Sequence, residues 1–480
     1  MKLFIPVLLA LAVASCNRSS QQANRMEPTS VHAASVMPSG PILSYADVVD
    51  HVAPAVVTIR ASQRVHAPQQ FPFFDDPFFR QFFGGGVPRQ PQTEVEQALG
   101  SGVLVRADGY ILTNDHVVNG AQDIKVDLST RRTYSAKVVG TDAPSDLAVL
   151  KINDSGLPTM PLGDSDKVRV GDVVLAVGNP LGIGETVTNG IISAKGRSTE
   201  TGTGSFQDFL QTDAPINRGN SGGALVNTRG ELIGINSQIL SPNGGNIGIG
   251  FAIPSDMARG VMEQLMKHGK VQRGMLGITI QQMTPDLASG LGLKQAQGVL
   301  VSGVQPGGPA DKSGLKSGDV ILQVNGQDVN DSNTLRNEVA AMGPGTDVAL
   351  TILRNGSRQE IHVRLAELTA ENANQQGEPG SNGGGGAARL GVELSALTPD
   401  VARQLGLPRG TQGVVVSSVD PNGPAGQVGI QEGDVIQQVN RQQVRTPADV
   451  RDALNRSGDR PPLLLINRGG QTLYVAVPLS

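Results

Sequence analysis

Asn217-Arg218-Gly219-Asn220-Ser221-Gly222-Gly223-Ala224-Leu225 sets one serine among glycines and runs straight into the apolar residues Ala224, Leu225 and Val226. A nucleophilic serine needs an exposed hydroxyl, with backbone N–H groups turned toward the oxyanion that forms when a carbonyl is attacked. Glycines permit the sharp turn and let the substrate carbonyl come close. Taken alone, the stretch also reads as an ordinary Gly-rich turn.

Two further stretches bear on that choice. Ile111-Leu112-Thr113-Asn114-Asp115-His116-Val117-Val118 is a strand-like run ending at a histidine, and Ser145-Asp146-Leu147-Ala148-Val149-Leu150-Lys151 is an aspartate leading into an apolar strand. The order His116, Asp146, Ser221 is that of the chymotrypsin-type triad, not that of subtilisin or the α/β-hydrolases. In that reading His116 takes the proton of Ser221 and returns it to the leaving amine, while Asp146 holds the other imidazole nitrogen. Gly219 and Ser221 supply the oxyanion N–H groups, and Asn220 shapes the turn between them. A lone histidine in an apolar run is more often a satisfied core residue; the joint pattern reverses that.

These motifs resemble the HtrA/DegP family of bacterial envelope serine proteases, from about residue 40 to the C-terminus. The resemblance rests on Thr113-Asn114-x-His116-Val117-Val118, Ser145-Asp146-x-Ala148-Val149 and Gly219-Asn220-Ser221-Gly222-Gly223, followed by two PDZ-like repeats. It implies a mainly β protein, with a chymotrypsin-like double-barrel protease domain over residues 41–268 and two PDZ domains over 274–366 and 388–480, joined by a linker at 367–387. It further implies a specificity and activation loop at Ser237-Gln238-Ile239-Leu240-Ser241, an activation-sensing loop near Arg197–Ser205, and assembly into trimers or multiples of trimers. No acidic residue stands where a trypsin-like pocket would want one. Ile239, Ile249 and Phe251 would form apolar walls for a small aliphatic side chain.

Composition narrows the alternatives. The chain has 480 residues, enough for roughly three domains. Its formal charge is -4 with no basic block, which argues against a nucleic-acid partner. Abundant glycine (61) and few charged residues (17%) fit many short strands and turns. The single cysteine, Cys16, excludes an internal disulfide, and the six histidines include no His-x-x-x-His pair, so neither metal nor other cofactor is expected. Without a Gly-x-x-x-x-Gly-Lys-Ser/Thr loop, an ATP-driven machine is not expected either.

Taken in order, residues 1–16 read as an export signal, with Lys2 followed by an apolar core too short to span a bilayer. Val13-Ala14-Ser15-Cys16 resembles a bacterial lipobox with Cys16 acylated; an ordinary signal cut near Ala33 or Ala34 is the other reading. Both take the chain out of the cytoplasm, to the periplasm. Residues 17–40 are small and polar, a flexible tether. A helical pattern near Ile42–Val49 precedes the strand Ala55–Ile59. Seven of the eleven phenylalanines lie between Phe71 and Phe83, broken by prolines and Gly84-Gly85-Gly86. That run either packs on its own subunit or contacts a neighbouring subunit or an unfolded client. Short strands follow: a hairpin around Asp108-Gly109, then Ile124–Leu128, Ala136–Val139, Leu147–Ile152, Val173–Val177, Thr186–Lys195, Leu232–Asn236 and Ile249–Ile253, with a helix from Met257 to Met266.

Beyond Gly274 the sequence repeats. Gly298-Val299-Leu300-Val301-Ser302 aligns on Gly413-Val414-Val415-Val416-Ser417, and Gly318-Asp319-Val320-Ile321 on Gly433-Asp434-Val435-Ile436. A fixed offset over this length marks duplicated domains. In PDZ modules a Gly-containing loop offers N–H groups to a terminal carboxylate, and the peptide adds as a strand. The matching stretches are Met275-Leu276-Gly277-Ile278 and Arg389-Leu390-Gly391-Val392; each also reads as a plain entry into a strand. The Asn/Gln/Gly-rich linker gives the second copy freedom relative to the first. Asn325-Gly326 suits a tight hairpin, and Asn440-Arg441 suits it less well.

The expected function is ATP-independent serine endoproteolysis of unfolded or misfolded envelope proteins, with PDZ modules recruiting clients or activating peptides with exposed C-termini. A holdase chaperone or PDZ adaptor with secondary proteolysis is the main alternative. A protease dedicated to one signalling protein is a third.

Overall fold

Among the described residues of the first half of the chain, twelve strands close into two barrels of identical connectivity. The first comprises β1 (Val56–Val65), β2 (Glu94–Leu104), β3 (Tyr110–Thr113), β4 (Asp123–Asp127), β5 (Thr133–Asp142) and β6 (Leu147–Ile152). The second comprises β7 (Val173–Gly178), β8 (Thr186–Arg197), β9 (Phe209–Thr212), β10 (Ala224–Asn227), β11 (Leu232–Ile239) and β12 (Gly250–Pro254). In each the strands run 1-2-3-6-5-4 around the barrel, with β1 pairing β4 and β7 pairing β10 to close it. Closure leaves no open sheet edge. In this computed structural model the described residues are 44–65, 94–179, 185–199, 205–217, 219–239, 246–369, 386–387, 390–408, 410–457 and 461–478. Cys16 with its leader and tether, the Phe71–Phe83 run, Leu240, Ser241 and Arg389 lie outside them.

Strand chemistry follows burial. β6, Leu147-Ala148-Val149-Leu150-Lys151-Ile152, is buried at every position but Lys151. One face fills the first barrel, and the other meets the helix Ser255–His268, whose Ala258, Val261, Met262 and Leu265 join the same core. That helix starts at the end of the second barrel and so ties the barrels together. It ends at Gly269 with φ 70°, the left-handed stop that glycine favours. The Asp108-Gly109 turn joins β2 to β3 as expected, with Gly109 at φ 95° and its N–H on Arg106 O.

The repeat becomes two antiparallel sheets of matching order. Each covers an apolar core closed by one helix, Ser332–Ala341 in the first module and Pro447–Asn455 in the second. The shared Gly-Asp landmark has a structural reason. Asp319 is buried, and it pairs with Arg354 and accepts from Lys316 N; Asp434 does the same with Arg468 and Gln431 N. The turn at Asn440-Arg441 also matches its counterpart, against expectation. Both residues take positive φ (50° and 65°), as Asn325 and Gly326 do, and the flanking strands pair in the same register. Arg441 finds a partner in Asn355 Oδ1, 2.7 Å away on the first module.

The modules also touch elsewhere, where the linker composition led us to expect independence. The side-chain amide of Gln281 donates to Tyr474 O (2.8 Å) and accepts from Tyr474 N (2.9 Å). Leu463, Leu465, Tyr474 and Ala476 of the second module share one buried cluster with Met283, Leu287, Leu300 and Val320 of the first. No helix among the described residues is long and apolar enough to cross a membrane.

Candidate active site

β3 runs out at Asn114, which opens the short helix Asp115–Val118 carrying His116. Asn114 occupies the N-cap position, where an asparagine side chain ordinarily accepts from the first helical turn. Here it makes no such bond; its amide instead donates to Asp146 O at 3.0 Å. Asp146 stands at the end of the 3-10 turn Ala143–Ser145, in the left-handed region (φ 54°, ψ 42°). Its carboxylate accepts from His116 Nδ1 (2.9 Å to each oxygen), from His116 N (3.1 Å) and from Ser237 Oγ (2.7 Å). With Nδ1 donating to the carboxylate, Nε2 is the ring's free acceptor. Burial pushes the imidazole pKa down, but the charge and hydrogen bond of Asp146, with the charge of Asp115 added, raise it above the ordinary 6.5.

Across the cleft, the serine loop joins β9 to β10. Gly219 and Gly222 take φ 90° and 80°. A side chain at Gly222 would land on Ser101 O and Thr113 Oγ1, so only glycine fits. Asn220 N donates to Asn217 O, Gly222 N to Asn236 O and Gly223 N to Asn220 O. Among the described residues no acceptor takes the N–H of Gly219 or of Ser221. Ser221 Oγ donates to Ser237 O at 3.0 Å and is not hydrogen-bonded to His116. Ser101, on β2, backs this loop; in the sequence it stands in a strand of the hairpin around Asp108-Gly109, with nothing to link it to the serine.

Ser237 is buried; Ile239 and Ile249 are half-buried. Phe251 belongs to the core, its ring 5.6 Å from that of Phe209. Gln238 reaches Thr199 Oγ1 at 2.6 Å. No metal-binding cluster occurs among the described residues.

The sequence matches the model of a trypsin-like peptidase domain over residues 100–235 and PDZ domain models over 274–365 and 415–468. It is 42% identical over 444 residues to the periplasmic pH-dependent serine endoprotease DegQ of Escherichia coli K12, spanning 92% of each chain. It is 40% identical over 445 residues to a probable periplasmic serine endoprotease, DegP-like, of Chlamydia pneumoniae, spanning 90% of this chain and 89% of the relative. The chain belongs to the HtrA/DegP family of serine endoproteases. Among solved structures, the HtrA-type protease AlgW with a tripeptide superposes with a TM-score of 0.56 at 44% identity, over 68% of this chain and 98% of that one.

The HtrA fold also positions the two expected peptide loops alike. Leu276 O and Gly277 O accept from Ala310 N and Gln305 N, and Leu390 O and Gly391 O accept from Ala425 N and Asp420 N. Gly277 and Gly391 both take φ near 70° (73° and 71°). Met275 pairs with Ala366, while Ile278 and Val392 begin the strands that follow. The helix Ser332–Ala341 meets the protease domain of this HtrA chain: Asn333 and Asn337 donate to Gln207 O, and Arg336 to Ser205 O. Arg273 pairs with the buried Asp142 and lies over the ring of Phe206.

Proposed function

We propose that His116, Asp146 and Ser221 cut peptide bonds by the acyl-enzyme route. The observation that carries this is the Asp146-oriented imidazole, with Nε2 left as acceptor, together with the N–H groups of Gly219 and Ser221, which meet no acceptor among the described residues. Rotation of the Ser221 hydroxyl from Ser237 O to Nε2 starts the reaction. Oγ attacks the scissile carbonyl, and the proton passes to His116. The N–H groups of Gly219 and Ser221 take the oxyanion, and the imidazolium protonates the leaving amine. Water then releases the acyl group by the same steps. Ser237, Ile239 and Ile249 line the place for the residue before the cut.

The substrates are unfolded or misfolded envelope proteins, met in the periplasm after export and without ATP. The loops at Met275–Ile278 and Arg389–Val392 take exposed peptide C-termini, with the peptide laid as an added strand. The working form is a trimer or a multiple of trimers.

Digestion of unfolded casein by the wild type and by Ser221→Ala, with aggregation followed in parallel, tests this. Wild type should digest it, and the variant should lose turnover by about a millionfold. If neither digests it while both suppress aggregation, the holdase reading replaces this one.

A further inference from the structure

We propose that Ser101 is a positioning residue for the oxyanion hole, acting through the backbone of the serine loop. Ser101 belongs to the first barrel and is fully buried. Its hydroxyl donates to Gly219 O at 2.5 Å and accepts from Asn179 N at 2.9 Å. Its own N–H donates to Ser221 O at 2.8 Å, and its carbonyl accepts from Thr113 Oγ1 at 2.7 Å. Two peptide planes of the serine loop are thereby fixed, the one after Gly219 and the one after Ser221. Between them lies the plane that carries the Ser221 N–H; just before them lies the plane that carries the Gly219 N–H. A peptide plane pivots only about the Cα atoms at its two ends. Anchoring the flanking planes fixes both ends of the plane that carries the Ser221 N–H, whose own carbonyl, Asn220 O, is held by Gly223 N, and fixes the near end of the plane that carries the Gly219 N–H.

Glycine at 219 has little torsional preference of its own, so without an anchor the loop would sample other orientations. The anchor comes from the other barrel, so hole and nucleophile share one reference to the strand that leads to His116. Asn179 N, held on the same hydroxyl, keeps the neighbouring loop in register with it. The inference rests on the proposed role of Ser221. Turnover retained by Ser221→Ala removes that role; kcat retained by Ser101→Ala removes only this one.

The test uses the full-length chain and a matched control. Ser165 is also buried, and its hydroxyl also makes one donated and one accepted bond, to Asp256 Oδ2 (2.8 Å) and from Asp256 N (3.1 Å), away from the cleft. Wild type, Ser101→Ala, Ser101→Cys and Ser165→Ala are compared for kcat and KM on a fluorogenic peptide. Melting temperature and affinity for a peptide boronate, whose tetrahedral adduct places an oxygen in the hole, are measured alongside. Ser101→Ala should lower kcat and boronate affinity together, by about 10- to 100-fold, with KM within about threefold. Ser101→Cys fills the space with a weak donor and should show the same split, which covers an unstable alanine variant. Ser165→Ala should lose melting temperature only. Equal behaviour of the Ser101 and Ser165 variants overturns the proposal. So does a fall in kcat with boronate affinity unchanged, or failure of both Ser101 variants to fold.

Discussion

At the scale of single residues, His116 sits beside two carboxylates. Asp146 touches it, and Asp115, its chain neighbour, adds a second negative charge. A raised imidazole pKa means that more of the enzyme carries a protonated, inactive base at a given acidic pH. Activity should therefore rise with pH through a midpoint above 6.5. Asp115→Asn removes one of the raising charges, so the acid limb of kcat/KM should move to lower pH, read from a pH–rate profile. A profile unchanged by that substitution would count against the assignment. Motif spacing and chain order are linear properties, so the grouping of His116, Asp146 and Ser221 is legible in the sequence, and the fold brings His116 onto Asp146. The sequence did not show what Asn114 and Ser101 do. Asn114 stands inside a strand-like run of the sequence, and only the fold brings Asp146 O within reach of its amide. Ser101 lies in a strand of the hairpin around Asp108-Gly109, and only barrel-on-barrel packing brings it to Gly219.

At the scale of elements, the duplicated modules share a buried ion pair that links the sheet to the turn before its Gly-Asp landmark. Removing one partner strands a buried charge, which costs about 3–5 kcal/mol. Arg468→Ala should therefore destabilise the second module by about that much in urea unfolding, because Asp434 is 1% exposed. Arg468→Met with Asp434→Leu should recover most of the loss. The repeat offset made the aspartates visible, but not their arginines, which lie a strand away where the alignment shifts by one residue. Strand periodicity located most barrel elements with slightly short ends. It passed over β9, whose Phe209-Leu210-Gln211-Thr212 is only four residues long. Asn440-Arg441 shows the limit of turn statistics. Arginine tolerates a left-handed φ here and makes a cross-module hydrogen bond with Asn355.

At the scale of the whole molecule, the junction between the protease domain and the first module is acidic. Burial and then Asp166 raise Asp208 to about 6; Asp331 and Glu338 of the module add to the rise, and Lys195 opposes it. A carboxyl whose folded pKa is raised holds its proton more tightly in the folded state. Its contribution is fullest below the unfolded value of 3.8 and falls as pH climbs through about 6. Asp208→Asn should raise the melting temperature at pH 7.5 and by about half as much at pH 5, with a gain of about 1–2 kcal/mol at the higher pH. The duplication carries a further consequence. The second module covers the first with Leu463, Leu465, Tyr474 and Ala476, and the same places on the first module's own hairpin hold Ala349, Thr351, Glu360 and His362. Glu360 and His362 are well exposed and paired to each other. A head-to-tail contact between like units can in principle add units without end. Here the adhesive hairpin occurs once and its homologue is wet and charged, so this contact joins two modules and the first module has no like hairpin to pass it on.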